Sequence, residues 1–504
     1  MTSYVSLFKE QQKIIFDLGN LVNSVYTGIY NVTLTAAYFT AEDSITPADL
    51  ILPISARQAA ENMPSVFTVP PNTASNDLTL PRNVKKAVFT VAATGQSEEE
   101  FWWSNVPQST IDTFPSYGEL YGYSPFREVQ LFIDGDLAGV AWPFPIIFTG
   151  GVVPGLWRPI VGIDAFDLKE DEIDITPWLP LLCDGNAHNF TIRVSGLNDN
   201  GNGQATLSET TDSYWLVTGK VFVWYDQEGH ITTGNGPSKD TPAPNLQVTT
   251  SIGKSANGTN ETLYYEVRAQ RSLSFSSTLH LSHGSERATW SQSLSFSNIG
   301  NFTDQGNVEV NTQQTTGYDV SSSGYARHIS YPLYAYSVYE TIGDNISYAA
   351  TVNRGKDVQT LGQQVFPSGL EAFSAAAPVA QLWPQFEGAW LSTTQDGNAT
   401  FVENTTSLAA YSFGTTTQDM KFAGIRVNGQ PGPRGFPGIS STHELFERQA
   451  MAVNGSVTED NEVLVGDTVP HDHGSPGGQH GYVFNGLPGR GSHWHGMKQR
   501  RRGL

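Results

Sequence analysis

Residues 125–180, PFREVQLFIDGDLAGVAWPFPIIFTGGVVPGLWRPIVGIDAFDLKEDEIDITPWLP, decide how the chain is read. Val129, Leu131 and Ile133 alternate with Glu128, Gln130 and Phe132, and side chains two apart on an extended strand share a face. Asp134-Gly135 follows. This pair tolerates positive φ and reverses a chain tightly, so Leu137–Trp142 is expected as the returning strand of a hairpin. Proline and glycine then interrupt regular structure through Gly155. A strand that presents a carboxylate and runs into a rigid aromatic loop reads as the rim of a site.

Working outward, the chain has 504 residues, 38 % hydrophobic and 15 % charged, with 49 glycines. That is room for two or three domains with cores of their own. Long apolar-periodic helices are nearly absent, which predicts an all-β protein of short strands and many turns. The net charge of −21 excludes nucleic acid as a partner, since its phosphates would be repelled. No membrane partner is expected either: the most apolar stretch, Leu137–Phe148, is too short to span a bilayer and contains Pro143 and Pro145.

The start of the chain and its apparent compartment disagree. Lys9, Glu10 and Lys13 interrupt what a signal peptide needs as an apolar stretch. Yet acceptor sequons for N-glycosylation occur at Asn31, Asn189, Asn257, Asn260, Asn301, Asn345, Asn398, Asn404 and Asn454. The lone Cys183 is either a thiol whose partner is missing or a buried free cysteine.

In order along the chain, Lys13–Phe16, Tyr30–Phe39, Val84–Ala93, Phe190–Val194 and Trp215–Tyr225 read as strands, and Ala41–Ser75 as a long irregular insertion. These place a first β-sandwich over residues 1–228. Residues 229–245, dense in proline and glycine, read as a linker. Residues 246–425, rich in Ser, Thr and Tyr with several period-two runs, read as a second β-sandwich. Gly429, Gly432, Gly435 and Gly438 follow a Gly-x-y spacing too short for collagen, so 426–465 is expected as extended linker and terminal strands. Residues 466–504, rich in Gly, Pro and His, read as a disordered tail.

Each chemical candidate has a plainer reading beside it. Glu128 on its strand is a carboxylate rigid enough to orient or deprotonate a water, or else a solvated strand-edge residue. Arg127 can hold a substrate oxygen, although neighbours on a strand point oppositely. Trp142 and Trp157, with Trp102, Trp103, Tyr121, Tyr123 and Phe144, offer aromatic faces of the kind sugars stack on, or an aromatic core. Asp164 and Asp167 sit among apolar neighbours and need a partner such as Arg158, in a salt bridge or a substrate site. Glu170, Asp171 and Glu172 read as a solvated face. His471, His473, His480, His493 and His495 lack a fixed scaffold and cysteine neighbours, so no metal site and no cofactor are expected.

Three segments carry a resemblance: IIFDLGNLVNSVYTGIYNVTLTAAYF (Ile14–Phe39), FREVQLFIDG with AWPFPIIFTGGVVPGLWRPIVGIDAFDL inside the opening stretch, and YWLVTGKVFVWYD (Tyr214–Asp226). On these the sequence resembles the peptide:N-glycanase A family, strongly through residue 226 and more weakly beyond. The resemblance implies two jelly-roll-like β-sandwiches and hydrolysis of the β-aspartylglucosylamine amide of N-glycopeptides or N-glycoproteins. It also implies a secreted or secretory-lumen protein. By a remote, fold-level similarity to a bacterial amidase of that activity, Glu128 matches a site glutamate, with Arg127, Trp142, Trp157, Arg158 and Asp164 as candidate substrate contacts. Family members carry a further segment before the position matching Met1, including an aromatic-Asp-Arg triplet found nowhere in these 504 residues. The expectation is therefore a first sandwich lacking its N-terminal strands, in an inactive fragment. The alternatives are a non-catalytic glycan-binding β-sandwich and a surface adhesion protein.

Overall fold

A computed structural model describes residues 46–115, 118–165, 169–373, 385–465 and 471–472, with residue 11, residues 22–24 and 27–29 as short pieces. The expected strands at Lys13–Phe16 and Tyr30–Phe39, sequon Asn31, Asp167, His473, His480, His493 and His495 lie outside the described residues. Strand makes up 59 % and helix 7 %, an all-β, sandwich-like fold.

The first half is built from β1 (Leu50–Ile54), β2 (Phe67–Val69), β3 (Ala74–Leu78), β4 (Val84–Gly95), β5 (Glu128–Ile133), β6 (Asp136–Ala141) and β7 (Asp171–Asp174). A single turn of helix, α1 (Leu179–Leu182), precedes β8 (His188–Ser195), β9 (Leu197–Asp199), β10 (Ala205–Leu207) and β11 (Trp215–Tyr225). One sheet has the order β1-β11-β4-β7, with β2 on the same edge of β11 as β1; the other runs β3-β8-β5-β6. Counting β1 and β2 as one place, each sheet has four places, and the crossings between sheets follow the double Greek key of a jelly roll. All eight places are filled by strands between Leu50 and Tyr225. The stretch expected as irregular insertion thus carries edge strands from Leu50 onward. Their short runs, broken by prolines, hide the period-two signal.

The expected hairpin is present. Asp134 and Gly135 both take positive φ (51° and 87°), and Ile133 pairs with Asp136, the geometry of a tight two-residue turn. Val129, Leu131 and Ile133 enter the sandwich core as their alternation predicts.

The second half forms one antiparallel meander. It comprises β12 (Thr233–Asp240), β13 (Asn245–Lys254), β14 (Asn260–Leu281), β15 (Gly284–Thr303), β16 (Val308–Ser321), β17 (Ala326–Ile342), β18 (Asn345–Leu361), β19 (Gly388–Asn404), β20 (Ala410–Pro431), β21 (Pro437–Val453), β22 (Ser456–Leu464) and β23 (His471–Asp472). All belong to one 12-stranded sheet, with β12 and β13 tiling one edge of β14. The segment 229–245 therefore includes a strand, β12, whose proline is tolerated because an edge strand need not donate on its outer side. The Gly-x-y segment is the tip of the β20–β21 hairpin, where Pro431 pairs with Pro437.

The layer facing this sheet is the jelly roll. One continuous core holds Phe126, Trp142 and Trp178 from the first half with Val267, Phe275, Phe296 and Leu333 from the second. Phe126 meets Phe296 edge to face at 5.2 Å, and Trp178 lies 6.0 Å from Phe275. Inward positions of β14 follow period two: Leu263, Tyr265, Val267, Ala269, Arg271, Leu273 and Phe275 are all buried. One of those seven is an arginine.

Candidate active site

Glu128 opens β5, paired with Ser195 of β8. It lies on the strand face opposite Val129 and Leu131, yet it is fully buried. The solvated reading is therefore overturned. Its surroundings hold both oxygens. Gln130 Nε2 donates to Oε1 at 2.8 Å, and Trp142 Nε1 donates to Oε2 at 3.0 Å. Across the interface Arg271 Nη2 stands 3.6 Å from Oε1. Arg271 is itself buried; its Nη1 donates to the Pro242 carbonyl at 3.0 Å, while its Nε has no hydrogen-bond partner. Phe126 and Phe296 pack against the Trp142 ring at 5.0 and 6.4 Å and fix its plane. A carboxylate with a cation beside it and a donor to spare, enclosed by aromatic rings, can orient a water and stabilise a developing negative charge.

Arg127, one residue earlier, faces the other way and is committed elsewhere. Its Nε and Nη2 form a two-pronged pair with Glu99, at 2.5 and 2.6 Å. Its Nη1 donates to the carbonyls of Tyr123, Ser124 and Phe126. Glu99 in turn accepts from Trp215 Nε1 at 2.7 Å and the Asp212 backbone N–H at 3.0 Å. Both ions are fully buried. This is a cross-brace between the loop before β5 and the β11 strand; all three guanidinium nitrogens of Arg127 are engaged in it and the side chain is fully buried. Burial, followed by the Glu99 charge, pushes the neighbouring Asp212 up to about 6.

The remaining expected contacts lie in a second place. Trp157 is fully buried against β19, so close that a Cβ on Gly397 would stand 2.7 Å from its ring; only glycine fits there. The guanidinium of Arg354 covers Trp157 at 5.5 Å. Asp164 is paired with Lys356 of β18, not with Arg158. Burial lowers the Arg158 pKa. The predicted residues thus separate into a Glu128–Trp142 cluster, an Arg127 brace, and a Trp157–Asp164 group against β18 and β19.

The acidic run is not a solvated face. Glu172 is buried and accepts from Tyr325 Oη at 2.8 Å and from the backbone N–H groups of Val365 and Phe366. Asp171 pairs with Arg327 at 2.8 Å, and Glu170 with Lys220. Asp171 and Glu172 stitch β7 to the second half, while Glu170 is held within the jelly roll by Lys220 of β11. Cys183 takes the buried reading: it caps α1 in the core, and burial pushes its thiol up to about 11. Among the sequons, Asn257, Asn301, Asn345, Asn398 and Asn454 are exposed, while Asn189, Asn260 and Asn404 are half-buried.

Arg271 is the residue the sequence reading missed. The signal was there: a cation at an inward place in a run whose other inward residues are apolar. Such a charge requires a buried counter-charge, but the strand does not say which.

Fold and cluster together define an all-β protein with a jelly roll whose buried carboxylate meets a cation from a second sheet. Comparison with known proteins gives that class a family. The description "Peptide N-acetyl-beta-D-glucosaminyl asparaginase amidase A" matches residues 1–242, and "PNGase_A C-terminal domain" matches residues 264–333. The chain is 32 % identical over 362 residues to the peptide-N4-(N-acetyl-beta-glucosaminyl)asparagine amidase A of Prunus dulcis, covering 67 % of this chain and 60 % of that protein. It belongs to the peptide:N-glycanase A family. No solved structure matches it. Glu128 falls in the first matched region and Arg271 in the second.

Proposed function

We propose that this protein is a glycoamidase that hydrolyses the β-aspartylglucosylamine amide of N-glycopeptides, releasing the N-glycan and converting Asn to Asp, in the secretory lumen or outside the cell. The observation that carries the reading is Glu128, whose two oxygens are held by Gln130 and Trp142 with Arg271 at 3.6 Å. Water adding to the side-chain amide carbonyl must lose a proton, and a fixed carboxylate takes it and passes it to the departing glycosylamine nitrogen. The oxygen of the tetrahedral intermediate gains negative charge, for which the unpartnered Arg271 Nε–H is a donor in place. In this reading Trp142 positions Glu128 and Arg127 braces the loop; neither touches substrate.

The test is incubation with an N-glycopeptide and mass analysis of the peptide. Glycan loss with Asn→Asp conversion is the expected product. A peptide retaining Asn-GlcNAc marks a glycosidase instead. One arm uses the present chain. A second uses it extended by the aromatic-Asp-Arg element of its relatives, and turnover in that arm alone makes the present chain an inactive fragment. Glu128→Gln is expected to abolish turnover in whichever arm is active; unchanged turnover removes Glu128 from the mechanism.

The complete burial of Glu128 favours one further reading, a non-catalytic glycan-binding β-sandwich. Glycopeptide binding without turnover in both arms, indifferent to Glu128→Gln, decides for it.

A further inference from the structure

A cleft of about 380 Å3 opens between Asp164 and Lys169 on one side and the strands β18 to β21 on the other, well away from Glu128. The register row starting at Arg271 runs through Leu294, Gly317 and Ile329 to Val358 in the cleft, four strands across. At the usual spacing between strands that is about 19 Å along the sheet. Between the two places the inner face is sealed by Phe144, Ile163, Ile329 and Tyr331. The cleft is no extension of the Glu128 cluster.

Its walls have two characters. One is apolar: Phe373 stacks flat on Phe422 at 5.3 Å with planes 9° apart, and Leu391, Met420 and Phe446 continue the surface. Phe373 and Phe446 are half-buried, so part of each ring is open. The other wall is polar, with the Asp164–Lys356 ion pair, Lys169, exposed at the mouth, and Thr360. A smaller hollow of about 40 Å3 shares Lys169, Lys356 and Thr360 and adds Glu170, Asp171, Glu172 and Arg327. In the hollow Glu170 pairs with Lys220, Asp171 with Arg327, and Glu172 with Tyr325 Oη and two backbone N–H groups, so the charges that line the cleft itself are the Asp164–Lys356 pair and Lys169. A wholly apolar ligand would cover the ion pair and leave it without the hydrogen bonds that water gives it. A ligand with a flat apolar face and a rim of neutral hydroxyls satisfies both walls, and a pyranose ring has that form.

We propose that this cleft is a second binding site, separate from the Glu128 cluster, for a short neutral oligosaccharide. The sugar rings lie against Phe373 and Phe446, and their hydroxyls exchange hydrogen bonds with Asp164, Lys356 and Lys169. The volume is that of an ordinary small-ligand pocket, with a few placed polar groups on an apolar lining. The proposal does not depend on the chain being an amidase.

The test is titration of the full chain with the free oligosaccharide of a high-mannose N-glycan, followed by calorimetry and by saturation-transfer NMR. Saturable binding is expected, weakened at least tenfold by Phe373→Ala or Phe446→Ala and several-fold by Lys169→Met, whose exposed side chain makes misfolding a small concern. Glu128→Gln is expected to leave this binding unchanged. The proposal is overturned if no saturable binding is seen, or if binding survives all three cleft variants. It is equally overturned if Glu128→Gln removes the binding, which would place the sugar at the other cluster, or if inorganic phosphate competes for it.

Discussion

Arg271 of β14 sits 3.6 Å from Glu128 of β5, and both side chains are buried. The pair ties the jelly roll to the long sheet at the point where Phe126, Trp142 and Phe296 also meet. A charge in such a place is tolerated only with its counter-charge.

Arg271→Met therefore leaves Glu128 buried and uncompensated, at an expected cost of about 3 kcal/mol in unfolding free energy. The double variant Arg271→Met/Glu128→Gln is expected to recover part of that loss. Urea denaturation of both single variants and the double closes the cycle; additive effects would show that the two groups do not interact.

The Arg127–Glu99 brace calls for a different signature. Arg127→Met is expected to destabilise by about 3–5 kcal/mol, because Glu99 loses two charge-assisted bonds inside the core. Trp215→Phe removes one donor to Glu99 and is expected to cost about 1–3 kcal/mol. If Arg127 instead served the substrate, its replacement would raise KM and leave the unfolding midpoint where it was.

Glu309 of β16 is buried, and burial pushes it up to about 8 from 4.5 even though Asn311 donates to it. Above 4.5 the unfolded chain releases this proton while the folded chain keeps it. Stability is accordingly expected to fall as pH rises from there to about 8, and to lose nothing further from this group beyond. Glu309→Gln keeps an acceptor for Asn311 and removes the titration. The advantage of this variant over the parent protein should widen between about pH 5 and about pH 8, read from denaturation midpoints. A constant gap would mean that Glu309 does not carry the linkage.

Cys183 offers a probe of the sandwich. Being buried and raised to about 11, its thiol is expected to resist an aromatic disulfide reagent at neutral pH until the fold opens. Prompt stoichiometric labelling of the native protein would contradict the packing of α1 against β4 and β12.

Much of the fold was legible. Trp215–Tyr225 is a strand with the boundaries its alternation implies, and Val84–Ala93 and Phe190–Val194 each lengthen by a residue or two at their ends. The Asp134-Gly135 turn needed only the backbone freedom of its two residues. Edge strands fared worse. Leu50–Ile54 and Thr233–Asp240 contain proline and lack clean alternation, because one side of an edge strand has no ladder to satisfy. The candidate site was half legible: Glu128 and Trp142 are adjacent in space as in the opening stretch, but Arg127, Trp157, Arg158 and Asp164 are not gathered with them.

What the sequence by itself determined is the side of each strand on which a residue lies, since period two is a property of the local backbone. That sufficed for an all-β chain, for the hairpin, and for separating Glu128 from Val129. What covers each side was decided only by tertiary structure. Glu128 lies on the face that local pattern marks as polar, and it is buried because β14, far along the chain, brings Arg271 against it. In the acidic run Glu172 is buried and Asp171 half-buried for the same reason, against Tyr325 and Arg327. Burial of a charge depends on a partner arriving from elsewhere in the chain, and no local spacing encodes that arrival.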